Sequence, residues 1–435
     1  MKRQDSWSEF EMNLDNQGNT SLQYVYDNFS QYYKTVAKIF EPPSAMEKRE
    51  FAFSLFKERI MLRHKGFKNQ DELIRYLGYT VPLDAYHSCA YYADPTADMD
   101  KKGWQGADLI FDIDADHIPT PCNKIHDEWS CITCGFIGKG IPEKCPICGG
   151  ERFDIKTWPC EECLNSARNE TAKLLNMLMH DFGFSGNEIR VFFSGHRGYH
   201  VYVESEIIRT LDAVARSEIV SYVSGLGLDL SFFGLDEKKA GKTRFPRTPH
   251  LTDPGWRGRL AKAICNFILN ARQEDYIRIG LKKHIVEKIM QNKNVLLKSW
   301  EDVGPFLAVK GVGVETWRKI IDLHVASLFS KIDTVVTTDI HRLIRMNGTL
   351  HGKTGLKKVE FPVSDVEVFD PFKSAIAFRK GTAVVYASDA PRFRLGGEEF
   401  GPYRNQKVEL PTAAAILLVC KKRAEVIAGD VSRTV

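Results

Sequence analysis

The stretch Asp108-Leu109-Ile110-Phe111-Asp112-Ile113-Asp114-Ala115-Asp116 decides how this chain is read. It is an apolar run with a carboxylate at every second position from Asp112 onward. As a strand it sends Asp112 and Asp114 to the same face. Two like charges side by side repel and disfavour each other's ionisation. Divalent cations relieve that repulsion. All-oxygen sites suit Mg²⁺ or Mn²⁺, which clamp phosphate oxygens in phosphoryl transfer. The plainer reading is a solvated strand edge with spare acids, and the rest of the chain weighs against it.

The 435 residues are 43% hydrophobic and 27% charged, a globular composition with room for two or three domains. The net charge is only +4, so a nucleic-acid surface has to be a local patch rather than a global field. There is no apolar run of membrane-spanning length and no signal-peptide pattern. A soluble, intracellular protein without a membrane partner is the expectation. Of ten cysteines, seven fall between Cys122 and Cys163, and three pairs of these have the C-x-x-C form. In a reducing compartment that pattern reads as metal binding, not disulfides.

Cys131-x-x-Cys134 and Cys145-x-x-Cys148 each sit in a knuckle sequence ending in glycine, and together they offer four thiolates for a tetrahedral Zn²⁺. Around them lie Cys122, His126 and Cys160-x-x-Cys163, which read as a second Cys₃His zinc site enclosing the first. The plainer reading of His126 is a surface histidine, but it follows Cys122 by four residues. Trp129 and Trp158 each precede a C-x-x-C by two residues, so the inner ribbon looks inserted within an outer site. Two filled structural sites leave the zinc no chemistry of its own.

Along the chain, residues 1–21 are polar with little periodicity and read as a mobile tail. A helix is predicted from Leu22 to Phe40, stopped by Pro42-Pro43. Arg49 to Phe53 is strand-like, and Pro119 and Pro121 end the Asp-rich strand. An amphipathic helix carrying Leu174, Leu175, Leu178 and Phe182 stops near Gly183 and Gly186. Strands Ile189 to Phe193 and Val201 to Val203 flank a Gly-rich turn as a hairpin. Residues 206–330 read as mostly helical, with a loop from Pro246 to Pro254 and a helix holding Leu260, Ile264 and Phe267. From Phe369 the chain is strand-like and ends in an apolar helix from Thr412 to Val426. No tandem repeat of domain size is visible.

The turn Ser194-Gly195-His196-Arg197-Gly198-Tyr199-His200 concentrates a hydroxyl, two glycines, an arginine and two imidazoles. Glycines let backbone N–H groups approach an anion, and arginine offers a planar fork for phosphate oxygens. A second basic stretch runs from Asp333 to Gly355. Arg342 and Arg345, three apart, would share a face on a helix. His351-Gly352-Lys353-Thr354-Gly355 is a flexible basic loop without the spacing of a P-loop. Asp333 is a candidate third metal carboxylate, although an acid there is commonly a cap or turn former.

In this order the motifs resemble the small catalytic subunit of archaeal and eukaryotic-type DNA primase, with the archaeal branch nearer. The resemblance runs from about Arg49 to Lys358. It implies an α+β fold: a mixed-sheet primase catalytic core with an inserted zinc-binding module and a helical subdomain. The expected division is a tail at 1–21, core at 22–121, zinc module at 122–163, core again at 164–205, a helical subdomain at 206–330 and the rest of the core at 331–435. Carried over by position, Asp112, Asp114 and Asp333 would hold two catalytic Mg²⁺ or Mn²⁺ ions. Arg49, Ser194, Arg197, His200, Arg342, Arg345 and His351 would form the nucleotide site. His196 would join that nucleotide site, although it stands where many members have arginine. Cys122, His126, Cys160 and Cys163 match the family's zinc knuckle, while Cys131, Cys134, Cys145 and Cys148 look like an addition. Lys310-Gly311-Val312-Gly313-Val314 resembles a helix–hairpin–helix DNA loop.

The resemblance further implies template-directed synthesis of short RNA, and often DNA, primers on single-stranded DNA during replication. It implies a large-subunit partner and a cytoplasmic, nucleoid-associated place in an archaeal-type cell. The rivals are a repair polymerase of the same superfamily, which extends primers without initiating, a metal nuclease, and a non-catalytic zinc-ribbon nucleic-acid-binding factor.

Overall fold

Runs of aromatic and β-branched residues pair as two four-stranded sheets. Their strands are β1 (Phe51–Ser54), β2 (Met61–Lys65), β3 (Asp84–Ser88), β4 (Leu109–Asp114), β5 (Ile189–Phe193), β6 (Gly198–Val203), β7 (Leu343–Arg345) and β8 (Val359–Phe361). The orders are β7-β3-β1-β2 and β8-β5-β6-β4. The computed structural model describes residues 17–35, 41–56, 60–140, 142–229, 233, 248–301 and 305–429. Among these the class is α+β. The mixed sheet is corrected, because every strand pair of both sheets is antiparallel. The reason is local: β5 and β6 form a tight hairpin, and β4 and β8 add to its two open edges in the opposite sense to their neighbours.

Leu109, Phe111 and Ile113 are fully buried on one face of β4. Ile110 lies on the other face, that of Asp112 and Asp114, and packs with Phe192, Tyr202, Val336 and Ile344. Burying each such side chain stabilises the fold by roughly 1.5–3 kcal/mol. The carboxylates are therefore anchored by the apolar residues between and before them.

Contacts divide the chain into two units. One comprises residues 1–171, 186–217 and 332–435; the other comprises 172–185 and 218–331. In the first, a helix spans Gln17–Thr35, five residues earlier than predicted. Residues 1–16 of the expected tail, and 36–40 of the expected helix, lie outside the described residues. The apolar helix Thr412–Cys420 stops short of Val426. Lys422 turns the chain in the left-handed region (φ 55°), and Ala424–Gly429 becomes a strand in a three-stranded sheet with Thr382–Ala390 and Tyr403–Pro411. A smaller sheet of Glu128–Cys131, Ile137–Lys139 and Phe153–Lys156 carries the cysteine ribbon.

Among the described residues all regular elements of the second unit are helical, including Gly255–Asn270, Gln273–Arg278, Lys283–Gln291, Pro305–Ala308 and Val314–Leu328. Pro246 and Arg247, at the start of the predicted loop, lie outside the described residues. No helix among the described residues is long and apolar enough to cross a membrane.

Candidate active site and metal centres

Register sets the acidic side of the site. Asp112 lies opposite His200 and Asp114 opposite Gly198 across β4 and β6. His200 Nε2 stands 3.5 Å from Asp112 Oδ1. The Asp333 N–H donates to the Asp112 carbonyl at 2.8 Å, bringing a third acid to the strand. The Asp333 carboxylate accepts from Val335 N at 3.0 Å and caps the short helix Thr334–Thr338. Burial, then the charges of Asp114 and Asp333, push Asp112 up to about 7, against the pull of Arg342 and Lys358. Burial raises Asp114 as well, opposed by Arg197, His117, Lys353 and Lys421. Asp114, Asp116 and His196 bring ligand atoms within 4.8 Å of one another; Asp112, Asp114 and Asp333 do not form such a group.

The Asp112 shift fixes a pH dependence. The folded protein holds this proton between the ordinary value of 3.8 and about 7, whereas an unfolded chain has released it. Stability without metal is therefore expected to fall as pH rises through that window. Thermal melts in chelator should show the fall, and Asp112→Asn should flatten it.

The basic residues divide by commitment. Arg49 is buried and donates to Asp108 Oδ2 (2.6 Å), Tyr91 OH, the Ser88 and Cys89 carbonyls and both oxygens of Ser44. Nothing of its guanidinium is left for a nucleotide. Arg345 pairs with Asp84, donates to the Leu350 carbonyl and lies over Tyr86. The helix predicted to align Arg342 with Arg345 is corrected: Leu343–Arg345 is strand β7, paired with β3. Its Leu-Ile-Arg run fits a half-buried strand, and Ile344 packs in the core. Arg342 is half-buried, has no ion-pair partner among the described residues, and acts on Asp112 through its charge.

The Ser194 hydroxyl accepts from His196 N and Gly198 N, both at 3.3 Å, and so shapes the turn. His196 is buried, with Nε2 2.6 Å from Lys421 Nζ and its ring stacked on His351. The His351 loop is tied down by Thr354 Oγ1 to the Gly195 carbonyl (2.6 Å) and Gly352 N to Asp84 Oδ1 (2.8 Å). Lys353 at its tip is exposed. Lys358, unnoticed in the sequence, is buried beside Tyr202 and the Arg345 carbonyl, and burial holds its pKa well below the usual lysine range. No local signal marks it; only the fold makes it special.

Both cysteine groups close. In the outer one, Cys122 Sγ lies 3.4 Å from Cys163 Sγ and 3.6 Å from Cys160 Sγ, and His126 Nε2 lies 3.5 Å from Cys163 Sγ. The inner one has Cys131–Cys148 and Cys134–Cys145 separations of 3.5 Å. A tetrahedron with Zn–S bonds of about 2.3 Å has edges near this length, so each donor set fits Zn²⁺. His126 Nδ1 lies 2.7 Å from Asp127 Oδ1, the carboxylate–histidine pairing that orients zinc-binding imidazoles. Asp127 also accepts from Trp158 N and from Arg197, which itself bridges to Asp116. Arg197 thus joins the outer cluster to the end of β4. An acid directly after a candidate ligand histidine was the available signal for Asp127.

Paired, destabilised carboxylates beside an uncommitted arginine, with two closed metal clusters, are the equipment of a nucleotidyltransferase-type enzyme. The sequence profile of the DNA primase small subunit matches residues 153–363. The DNA primase small subunit PriS of Nitrosopumilus maritimus is 31% identical over 94% of this chain and 99% of its own. That of Methanothrix thermoacetophila is 33% identical over 93% and 98%, and that of Archaeoglobus fulgidus 31% over 92% and 96%. The chain belongs to the family of archaeal-type DNA primase small subunits.

Proposed function

We propose that this chain is the catalytic subunit of a DNA primase, joining NTPs, and dNTPs as a second substrate class, into short primers on single-stranded DNA. The near full-length match to archaeal primase small subunits carries this reading. It works with a primase large subunit, in the cytoplasm at the nucleoid. Its architecture is a primase core with an inserted zinc module and a helical subdomain.

Asp112, Asp114 and Asp333 would hold Mg²⁺ or Mn²⁺; their oxygen donors, and the raised pKa values of Asp112 and Asp114, suit cations of that kind. When bound, such ions neutralise the carboxylates, acidify the attacking hydroxyl and stabilise the leaving oxygens. The 3′-hydroxyl forms a bond to the α-phosphorus, the α–β bond breaks, and pyrophosphate leaves. Arg342 and Lys353 meet triphosphate charge, and His200 and His351 line the same place. Ser194, His196, Arg197, Arg345 and Arg49 act by holding the turn, the loop and β4 in position. Template is held through its phosphates, so binding weakens steeply with salt.

The testing experiment is unprimed synthesis on single-stranded DNA with labelled NTPs, with and without divalent metal. Metal-dependent oligonucleotides from the wild type, absent from Asp112→Ala/Asp114→Ala, are expected. Extension of supplied primers with no initiation, even with the large subunit added, would favour the repair polymerase instead.

Arg342→Ala should raise the NTP KM about 10- to 100-fold, the worth of a charge-assisted hydrogen bond, with little change in melting temperature. Arg345→Ala should instead lower the melting temperature, because it leaves Asp84 unpaired. Steady-state kinetics beside thermal melts separate the two.

A further inference from the structure

The second unit contains one motif twice. Gly280-Leu281, followed by Val286 and Ile289, repeats 31 residues later as Gly311-Val312, followed by Trp317 and Ile320. Both glycines have positive φ, +78° and +89°, which side chains rarely adopt. All six apolar residues are buried. In each copy a short helix (Gln273–Arg278; Pro305–Ala308) turns through the glycine into a longer one (Lys283–Gln291; Val314–Leu328).

The longer helices start alike. Lys282 and Gly313 are extended N-caps. Ile285 N and Val286 N donate to the Lys282 carbonyl at 2.9 and 3.1 Å; Thr316 N and Trp317 N donate to the Gly313 carbonyl at 3.0 and 3.3 Å.

The two copies also hold each other reciprocally. Lys319, eight residues after Gly311, donates from Nζ to the Gly280 carbonyl at 2.9 Å. Lys288, eight residues after Gly280, places Nζ 2.8 Å from where a Cβ on Gly311 would stand. Contact of i with j matched by j with i is the signature of a two-fold relation. The hairpins are thus a related pair, not two unconnected turns.

The turns that carry the two glycines are basic: residues 278–283 hold Arg278, Lys282 and Lys283 and no acid, and residues 309–314 hold Lys310 and no acid. Lys282, Lys283 and Lys310 are exposed and have no ion pair among the described residues; Glu315, in the second hairpin, is paired with Arg318. First-turn N–H groups of a helix have no partner within it and point at an incoming anion. Two anion-seeking loops related by a two-fold match two antiparallel phosphate strands better than one.

We infer that the duplicated helix–hairpin–helix pair of the second unit is a duplex-binding surface that grips the sugar–phosphate backbones of both strands without reading sequence. The partner is a nucleic-acid duplex, of the kind a growing primer forms with its template. Backbone contacts position and carry no sequence information, and each neutralised phosphate adds to the salt dependence.

The test uses the full chain and fluorescence anisotropy of a short mixed-sequence DNA duplex across a salt series. Lys282→Ala/Lys283→Ala/Lys310→Ala should weaken binding at least about tenfold and reduce the log K against log salt slope by about 3. A control, Lys262→Ala/Lys293→Ala/Lys298→Ala, removes equal charge from two helices of the same unit that carry neither glycine turn and should bind like wild type. Unchanged binding by the hairpin triple overturns the inference. So does equal loss by the control, which would mean diffuse attraction. Single strands that bind as tightly as duplex, with the same lysine dependence, overturn the duplex assignment. Because binding is read without catalysis, the result is independent of the activity proposed above.

Discussion

Asp112→Asn should lower primer synthesis by on the order of 10³-fold or more while leaving the metal-free protein at least as heat-stable as wild type. The two halves of that expectation come from one feature. Asp112 is held beside Asp114 and Asp333, largely out of water, and its pKa climbs to about 7. At neutral pH its charge costs the fold free energy unless a cation compensates. Asparagine keeps the shape and the neighbourhood of His200 but removes the charge, relieving repulsion and weakening the proposed metal ligand. The wild type should therefore gain melting temperature on adding Mg²⁺ or Mn²⁺, by mass action on the folded state. The variant should gain much less. An Asp112→Asn protein that still shows the full metal-induced shift would remove Asp112 from the metal site, whatever its activity.

What was legible in the sequence was local. Alternation placed Asp112 and Asp114 on one face because a strand has period two, and C-x-x-C spacing announced both cysteine clusters because knuckles are short-range structures. The turn at Ser194–His200 was visible for the same reason. The duties of the arginines were not visible. Arg49 meets Asp108, Arg197 meets Asp127 and Arg345 meets Asp84 across 59, 70 and 261 residues of chain. No local pattern tells a phosphate-binding guanidinium from one neutralised by a distant carboxylate. Arg342 and Arg345 misled because a three-residue spacing suggests a helix face, whereas Leu343 and Ile344 are held as strand by pairing with β3. The paired hairpins escaped because only one copy carries the Gly-Val-Gly signature; the other has Lys282 where Gly313 stands. Their kinship shows in hydrogen bonds and burial rather than in letters.

The two cysteine clusters should behave oppositely when broken. Cys163→Ser is expected to remove one zinc and nearly all synthesis; Cys148→Ser is expected to remove one zinc and leave synthesis within a few-fold of wild type. The difference lies in what each cluster is attached to. The inner ribbon closes on a small core of its own, Trp129 with Cys131, Cys145 and Phe153. The outer cluster reaches β4 through a chain of side chains. His126 contacts Asp127, Asp127 accepts from Arg197, Arg197 pairs with Asp116, and Asp116 N donates to Asp114 Oδ1 at 2.9 Å. Arg197 and Asp127 are each only 1% exposed, so loosening one strands the other's charge in the interior. Breaking such a pair costs about 3–5 kcal/mol. Asp127→Ala should accordingly weaken zinc at the outer site about 10- to 100-fold and lower the melting temperature, with every zinc ligand still present. Zinc content, melts and synthesis measured on the three variants decide the matter. Equal loss of synthesis from Cys163→Ser and Cys148→Ser would mean that the inner ribbon also serves catalysis. Full synthesis from a zinc-depleted Asp127→Ala protein would mean that the Arg197 bridge does not position Asp114.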